Sequence, residues 1–264
     1  MHMKGTHMAN LAGKRALVTG ASRKVGIGAA VCRALAVAGA DIAFTHWTRY
    51  DTGMYGSSTD EPAELAAELR GLGVHAEAIE FDLSVPDAGT RLFDEVESRL
   101  GPVDILINNA AWSTHDNWET LTAESLDSHY FVNARATALL SVEMARRFLK
   151  NGGGRIVNFS SGQHLGPMPD ELAYAMSKGA IIAFSQSVAP DLAAQGITIN
   201  VINPGPTDTG WISPDLAAAI IKATPMGRVG QPEDAARLIS WLVSDEAGWV
   251  TGQVINSEGG FVRG

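Results

Sequence analysis

Hydrophobic and polar positions along this chain follow two alternating periods. Short runs rich in apolar residues, at residues 14–19, 41–46, 74–81, 103–107, 155–160, 197–203 and 253–256, predict strands. Between them, residues 29–38, 62–72, 86–100, 123–150, 173–195 and 233–242 carry helical spacing, and 210–224 predicts a loop with a short helix. Gly152, Gly153 and Gly154 stop the long helix. Residues 47–60 keep neither period and are rich in Gly, Ser and Thr; this is long for a strand-to-helix loop, which predicts a functional or mobile segment. Strand and helix alternate every 30–50 residues or so, and a run such as VDILI (103–107) has no polar face, so the pattern predicts a parallel sheet covered by helices on both sides.

Open sheets of this kind bind ligands outside the C-terminal ends of their strands. The polar and glycine-rich signals of this chain fall there: the turn from Gly20 to Gly28, then Asp82, Asn108, Ser161 and Pro204. The turn follows a strand and opens a helix, so its glycines let the backbone approach a pyrophosphate while free N–H groups at the helix start meet the negative charge. Tyr174 and Lys178 are an i,i+4 pair on the helix over 173–195 and share one face. A cation beside a phenol favours the phenolate, so the pair suits proton exchange with a carbonyl or alcohol oxygen, which Ser161 can hold.

Composition narrows the setting. The 264 residues are 45% apolar, enough for a substantial core, and the single cysteine, Cys32, lies in an apolar run, which excludes an intrachain disulfide and predicts a buried thiol. The net charge of −9 argues against nucleic acid as a partner. No window has the 18 or more apolar residues of a membrane span, and a cytoplasmic protein is expected. Residues 1–10, which open with two His-Met pairs, are expected to be a frayed leader or cloning scar outside a single domain over 11–264. No metal site is expected.

Thr19-Gly20, Gly26-Ile27-Gly28, Asp82, Asn108-Asn109-Ala110, Asn133, Ser161, Tyr174 with Lys178, Pro204-Gly205 with Thr209, and Thr251-Gly252-Gln253 occur here in one order. Over residues 12–262 the chain resembles the short-chain dehydrogenases/reductases. The resemblance implies a single-domain α/β Rossmann fold with a doubly wound, seven-stranded parallel sheet, a nicotinamide cofactor and a homotetramer. It implies catalytic roles for Tyr174 as proton donor, Lys178 as its cationic partner and ribose ligand, Ser161 as the group that orients the carbonyl, and Asn133 as holder of a water leading from Lys178 to solvent. It assigns cofactor contacts to Gly20, Ser22, Arg23, Lys24, Gly26, Ile27 and Gly28 of the turn, to Asp82 and Leu83, and to Asn109, Ala110 and Ala111. Tyr174, Lys178, Pro204, Gly205, Thr207 and Thr209 complete the set, and Asn108 braces the sheet. Residues 210–224 correspond to a substrate lid.

Departures from the family pattern refine the expectation. Five residues separate Gly20 from Gly26 where the family has three, Ala111 replaces a glycine, and Glu258 replaces an aspartate. Enoyl reductases of the superfamily share a long turn but set their tyrosine further from the lysine, so the spacing here favours C=O over C=C reduction. The second strand ends Phe44-Thr45-His46-Trp47-Thr48 with no carboxylate, and Arg23, Lys24 and Arg49 offer positive charge, which favours NADP(H) over NAD(H); Asp51 leaves NAD(H) open.

The pattern is similar to 3-oxoacyl-(acyl carrier protein) reductases, whose carrier-gripping arginines are replaced by Gln195 and Gly152, so a free ketone, β-keto ester or acyl-CoA is expected. A carrier-protein reductase and a non-catalytic nucleotide sensor are the alternatives. Trp112, Trp118, His164, Met168, Trp211 and Ile212 are candidates for the pocket wall of a bulky apolar substrate, buried packing being an equal reading of each.

Overall fold

The structure is a computed structural model that describes residues 9–148 and 153–263. Seven strands form one sheet: β1 (Arg15–Val18), β2 (Asp41–His46), β3 (Ala76–Glu80), β4 (Ile105–Asn108), β5 (Gly154–Phe159), β6 (Ile197–Asn203) and β7 (Val254–Asn256). Their order is β3-β2-β1-β4-β5-β6-β7 and every pairing is parallel. The chain order reverses between β1 and β4, so the crevice for a ligand opens above those two strands. β4, β5 and β6 are buried at every position, so their polar residues, such as Asn108, Asn158 and Asn200, are paired inside the fold.

Helices α1 (Ile27–Val37), α3 (Glu61–Gly71) and α9 (Pro232–Leu242) contribute to one core layer, which includes Leu35, Phe44, Leu65 and Ile239. The layer on the opposite face contains Leu17, Phe93, Leu140 and Ile199, with α4 (Ala88–Leu100), α6 (Thr137–Arg147) and α7 (Leu172–Ala193) around it. Each fully buried Leu, Ile or Phe contributes about 1.5–3 kcal/mol of transfer free energy, so both faces hold the sheet rigid. Among them runs a polar bridge. Asn108 Nδ2 donates to Asn158 Oδ1 (2.8 Å) and Ser141 Oγ (3.2 Å), and Asn158 Nδ2 donates to Ser185 Oγ (2.9 Å), tying β4 and β5 to α6 and α7 as the expected bracing role requires. Cys32 is fully buried, and burial pushes its thiol well above the usual range.

Three expectations are corrected. The segment over 47–60 is not irregular: residues Thr48–Tyr55 form a helix, α2, that ends on Gly56 in the left-handed region. The long helix over 123–150 is three pieces, α5 (Ala123–His129), a π-helical segment (Tyr130–Ala136) and α6; its expected end at Lys150 and the stop at Gly152 lie outside the described residues. The folded body also begins earlier than residue 11, since Ala9 packs against the core and Asn10 Oδ1 accepts from Ala12 N (3.2 Å); residues 1–8 lie outside the described residues. The remaining helix, α8 (Pro214–Ala223), is capped by Ser213. No helix among the described residues is long and apolar enough to cross a membrane.

Candidate active site

The strand ends place the chemistry. β5 leads through Ser160 to Ser161, and α7 begins eleven residues later. The start of α7 is held by a distant carboxylate: Asp116, itself buried, accepts from Ala173 N (3.2 Å) with one oxygen and from Ser125 Oγ (2.7 Å) with the other. A carboxylate satisfying a free first-turn N–H also complements the helix dipole. Tyr174, the next residue, is therefore fixed in azimuth. One turn on, Lys178 is 2% exposed, its Nζ donates to the Phe159 carbonyl (3.0 Å) and lies 5.4 Å from the centroid of the Tyr174 ring. The i,i+4 pair is thus realised, and the Ser161 side chain stands close enough to the phenol to lower its pKa.

The electrostatics differ from the expected ones. The Tyr174 phenol is held above its ordinary range, first by burial and then by the Glu171 carboxylate, with the Ser161 side chain pulling the other way. Burial pulls the Lys178 ammonium down to about 8. Burial of both groups opposes the pull of the cation on the phenol. Glu171 is itself pushed up by burial, against the pull of His115 and His129. His129 is fully buried, with Nε2 accepting from Thr114 N (3.2 Å) and Nδ1 facing the Ser125 carbonyl (2.7 Å).

Asn133 lies in the π-helical segment. Its Oδ1 accepts from Trp112 N (2.7 Å), and its Nδ2 donates to Trp112 O (2.9 Å) and Ser177 Oγ (2.9 Å). Both amide protons are committed, so the side chain has no donor left for a water, and what it does is clamp the loop after β4 onto α7. The extra residue of a π turn, a feature frequent at functional sites, turns it there.

A cleft of about 740 Å³ runs from the glycine turn past the strand ends to Tyr174 and Lys178, within the size range of small-molecule sites. Its lining includes Gly20, Ser22, Arg23, Gly26, Ile27, Gly28, Asp82, Leu83, Asn109, Ala110, Ala111, Pro204 and Thr209, all expected there. Gly20 has φ +72°, and any Cβ on it would meet Ala110 Cα at 2.6 Å, so this turn and the loop after β4 interlock. Asn109 Nδ2 secures the contact by donating to the carbonyls of Thr19 (2.9 Å) and Gly20 (2.8 Å). The N-cap of α1 is Gly26, with no side-chain cap and no acidic residue in the first turn, which fits a pyrophosphate.

Three expected cofactor residues lie elsewhere. Lys24 turns outward to Glu64 (3.0 Å) while its backbone N–H donates to Glu61 (2.7 Å), so α3 neutralises it. Gly205 and Thr207 stand behind the lining: Gly205 packs on Glu258, and the buried Thr207 hydroxyl donates to the carbonyls of Pro204 and Gly205.

α2 adds what the sequence did not announce. Tyr50 and Tyr55 both line the cleft. The Tyr50 hydroxyl accepts from Ser113 N (3.2 Å) and donates to Ser113 O (3.4 Å), and its ring lies 4.8 Å from that of Trp112. Tyr55 stacks on the Arg23 guanidinium (3.8 Å), which in turn donates to the Thr209 carbonyl (3.0 Å) and hydroxyl (3.4 Å) across the cleft. Asp51 also enters the cleft; burial raises its carboxyl, with Ser22 hydrogen bonding and Arg23 lowering it. The aromatic residues Trp47, Tyr50 and Tyr55 in a largely polar insertion were the signal. Of the expected wall, Trp112 lines the cleft, whereas Trp118 is 83% exposed and Trp211, half-exposed, donates from Nε1 to Thr207 O (2.9 Å). Among the described residues no group of three or more His, Cys, Asp or Glu could hold a metal ion.

Comparison with known proteins agrees with this geometry. A family model described as "Enoyl-(Acyl carrier protein) reductase" matches residues 20–262. An uncharacterized oxidoreductase of Bacillus subtilis (strain 168), YjdA, is 50% identical over 253 residues, covering 95% of this chain and 98% of that protein. A short-chain dehydrogenase/reductase from Serratia marcescens superposes with a TM-score of 0.86 at 34% identity, covering 96% of this chain and 99% of that one. The landomycin C-6 ketoreductase LanV, solved with bound NADP and rabelomycin, superposes with a TM-score of 0.83 at 34% identity over 96% and 97% of the two chains. With the doubly wound sheet, the glycine turn and the Tyr174–Lys178 pair in place, this chain belongs to the short-chain dehydrogenases/reductases and is an oxidoreductase.

Proposed function

We propose that this protein reduces a small-molecule carbonyl to the alcohol using NADP(H). The observation that carries the reading is the pairing of Tyr174 and Lys178, with Ser161 beside the phenol, at the C-terminal edge of the sheet; Tyr174 and Lys178 lie at one end of a cleft whose other end is the uncapped start of α1. Gly20, Ser22, Arg23, Ile27 and Gly28 would hold the pyrophosphate side of the dinucleotide, and Asp82 with Leu83 its adenine. When bound, the nicotinamide supplies the hydride that forms the new C–H bond at the carbonyl carbon. Ser161 orients the carbonyl oxygen by hydrogen bonding, and Tyr174 Oη gives that oxygen its proton as the C=O π bond opens, leaving a phenolate. Lys178, protonated below about pH 8, stabilises the phenolate until solvent returns the proton. The i,i+4 spacing supports C=O chemistry over the C=C chemistry in the matched model's description.

For the cofactor, Arg23 of the glycine turn with His46 and Arg49 at the end of β2 support a 2′-phosphate, as does the NADP in LanV, while the Asp51 carboxylate in the same part of the cleft opposes it. For the substrate, the aromatic wall of Tyr50, Tyr55 and Trp112 supports a flat or bulky ketone, in keeping with the ketoreductase neighbour. The test is loss of NADPH and NADH absorbance against a panel of aromatic ketones, β-keto esters, acetoacetyl-CoA and a carrier-protein thioester, with Tyr174→Phe alongside. Turnover of a free ketone that drops at least ~10²-fold in the variant, with cofactor affinity kept, is the expected result. Activity only on the carrier thioester overturns the free-substrate reading, and loss of cofactor binding together with rate overturns the proton-donor assignment.

A further inference from the structure

Beyond α7 and the cleft, the last residues of the chain meet the active site from behind. Arg263 and Glu258 form a two-pronged ion pair, Nη1 to Oε1 at 3.0 Å and Nη2 to Oε2 at 2.7 Å, with side chains only 18% and 9% exposed. Glu258 Oε2 also accepts from Asn203 Nδ2 (2.9 Å), and Asn203 Oδ1 accepts from Gly205 N (3.0 Å), so the carboxylate reaches the turn after β6. On its other side the guanidinium lies against the turn that carries Ser161: a methyl group on Gly162 would run into it, and one on Gly166 would meet Arg263 Cδ at 3.1 Å. Neither glycine is in the left-handed region. Backbone freedom therefore does not explain them, whereas the space occupied by Arg263 does. The same tail holds α8, through Val262 N to Ala223 O (2.9 Å) and Met226 N to Gly259 O (3.3 Å). Glu258, one methylene longer than the family's aspartate, gives the carboxylate added reach toward the guanidinium.

The Ser161 turn and the turn at 203–205 thus share one charged link, and the same tail holds the end of α8 through backbone hydrogen bonds. We infer that Arg263 is a positioning residue for the reaction, acting through Ser161 by clamping its turn to the turn after β6; the inference rests on the role proposed for Ser161. A fork-shaped guanidinium suits this because it meets both carboxylate oxygens at once while its flat body fills the gap over Gly162, which a lysine cannot do.

A double-mutant cycle tests it. Arg263→Ala, Ser161→Ala and the double variant are assayed for kcat, KM, cofactor Kd and melting temperature, with Arg263→Lys and Glu258→Gln as further single variants. Arg263→Ala is expected to lower kcat by about 10-fold or more, with KM and NADPH Kd within about twofold. In the double variant the loss is expected to equal that of Ser161→Ala alone, since a clamp has nothing to position once the hydroxyl is gone. Added guanidinium ion at millimolar concentration is expected to restore part of the rate to Arg263→Ala, which a general loss of stability would not permit, and Glu258→Gln is expected to lose rate while Arg263→Lys recovers little. If Arg263→Ala leaves kcat unchanged, or if its effect simply multiplies that of Ser161→Ala, the inference fails. If Ser161→Ala itself has no effect, the proposed function fails first. Should Arg263→Ala not fold, Glu258→Gln carries the same cycle.

Discussion

The two ends of the cleft are built from different material. At the catalytic end, Tyr174 and Lys178 project from a 22-residue helix packed on the sheet, with Ser177, Lys178 and Ile181 buried and Asp116 holding its first turn. At the other end, α2 has no buried residue, and its links to the body include a tyrosine hydroxyl on Ser113, a ring on Trp112, a ring on Arg23 and a threonine hydroxyl on His46. Proton and hydride transfer tolerate misplacement of only ~0.5 Å, so the reacting groups sit on elements that the core fixes. A segment that must admit and release a ligand gains from few contacts and low local stability. The candidate catalytic groups thus stand on an element fixed by the core, whereas α2 brings its cleft residues on a helix with no buried side chain.

The sharpest test of that contrast is Lys178→Met, for which turnover should fall ~10²–10⁴-fold. Its stability should move the opposite way. Burial pulls Lys178 from 10.5 to about 8, so between those pH values the unfolded chain binds more protons and wild-type stability rises with pH, while below pH 8 the buried cation costs the fold. Thermal melts should show the variant at least as stable as wild type at pH 7, with that slope removed between pH 8 and 10.5. A variant that loses stability at pH 7 would mean that Lys178 is a structural residue first.

Next in size is the pH profile of reduction. kcat/KM should hold up to about pH 8 and fall as Lys178 loses its proton and the phenolate its partner, by about tenfold per pH unit well above that point. A flat profile to pH 10 would separate the lysine from the proton transfer.

Replacing Thr48–Tyr55 by a short Gly/Ser linker should raise the NADPH off-rate by about tenfold while altering stability by no more than ~0.5 kcal/mol, since the helix buries nothing. A large loss of melting temperature would place α2 with the scaffold and erase the contrast between the two ends. Smaller still, Tyr50→Phe should cost about 2–10-fold in cofactor affinity through the lost hydroxyl bonds to Ser113. Asp51→Asn should shift preference toward NADPH by a few-fold, as expected for removing one partly shielded like charge.

Much of this was legible in advance, for identifiable reasons. All seven strands fell within two residues of their expected positions, because short apolar-rich runs bounded by turn residues alternate with helical spacing. The Tyr174–Lys178 pair was legible because helical spacing alone makes residues four apart neighbours. The helix at Thr48–Tyr55 was missed because it buries no stripe and so writes no 3.6-residue period. The π turn at Tyr130–Ala136 was missed because its one extra residue leaves the composition of a helix unchanged.

Sequence determined the alternation of strand and helix, the sheet's parallel sense, and which side chains could take part in carbonyl chemistry, since all of these follow from local period, turn chemistry and spacing. Tertiary structure alone decided the partners. It turned Lys24 outward to Glu64, brought Asp51 and Tyr55 over the cleft, spent both amide protons of Asn133 on the Trp112 loop and Ser177, and set the last arginine against the serine turn a hundred residues earlier. A charge is satisfied by whichever opposite group the packed chain places within about 3 Å, and that distance is a property of the whole fold.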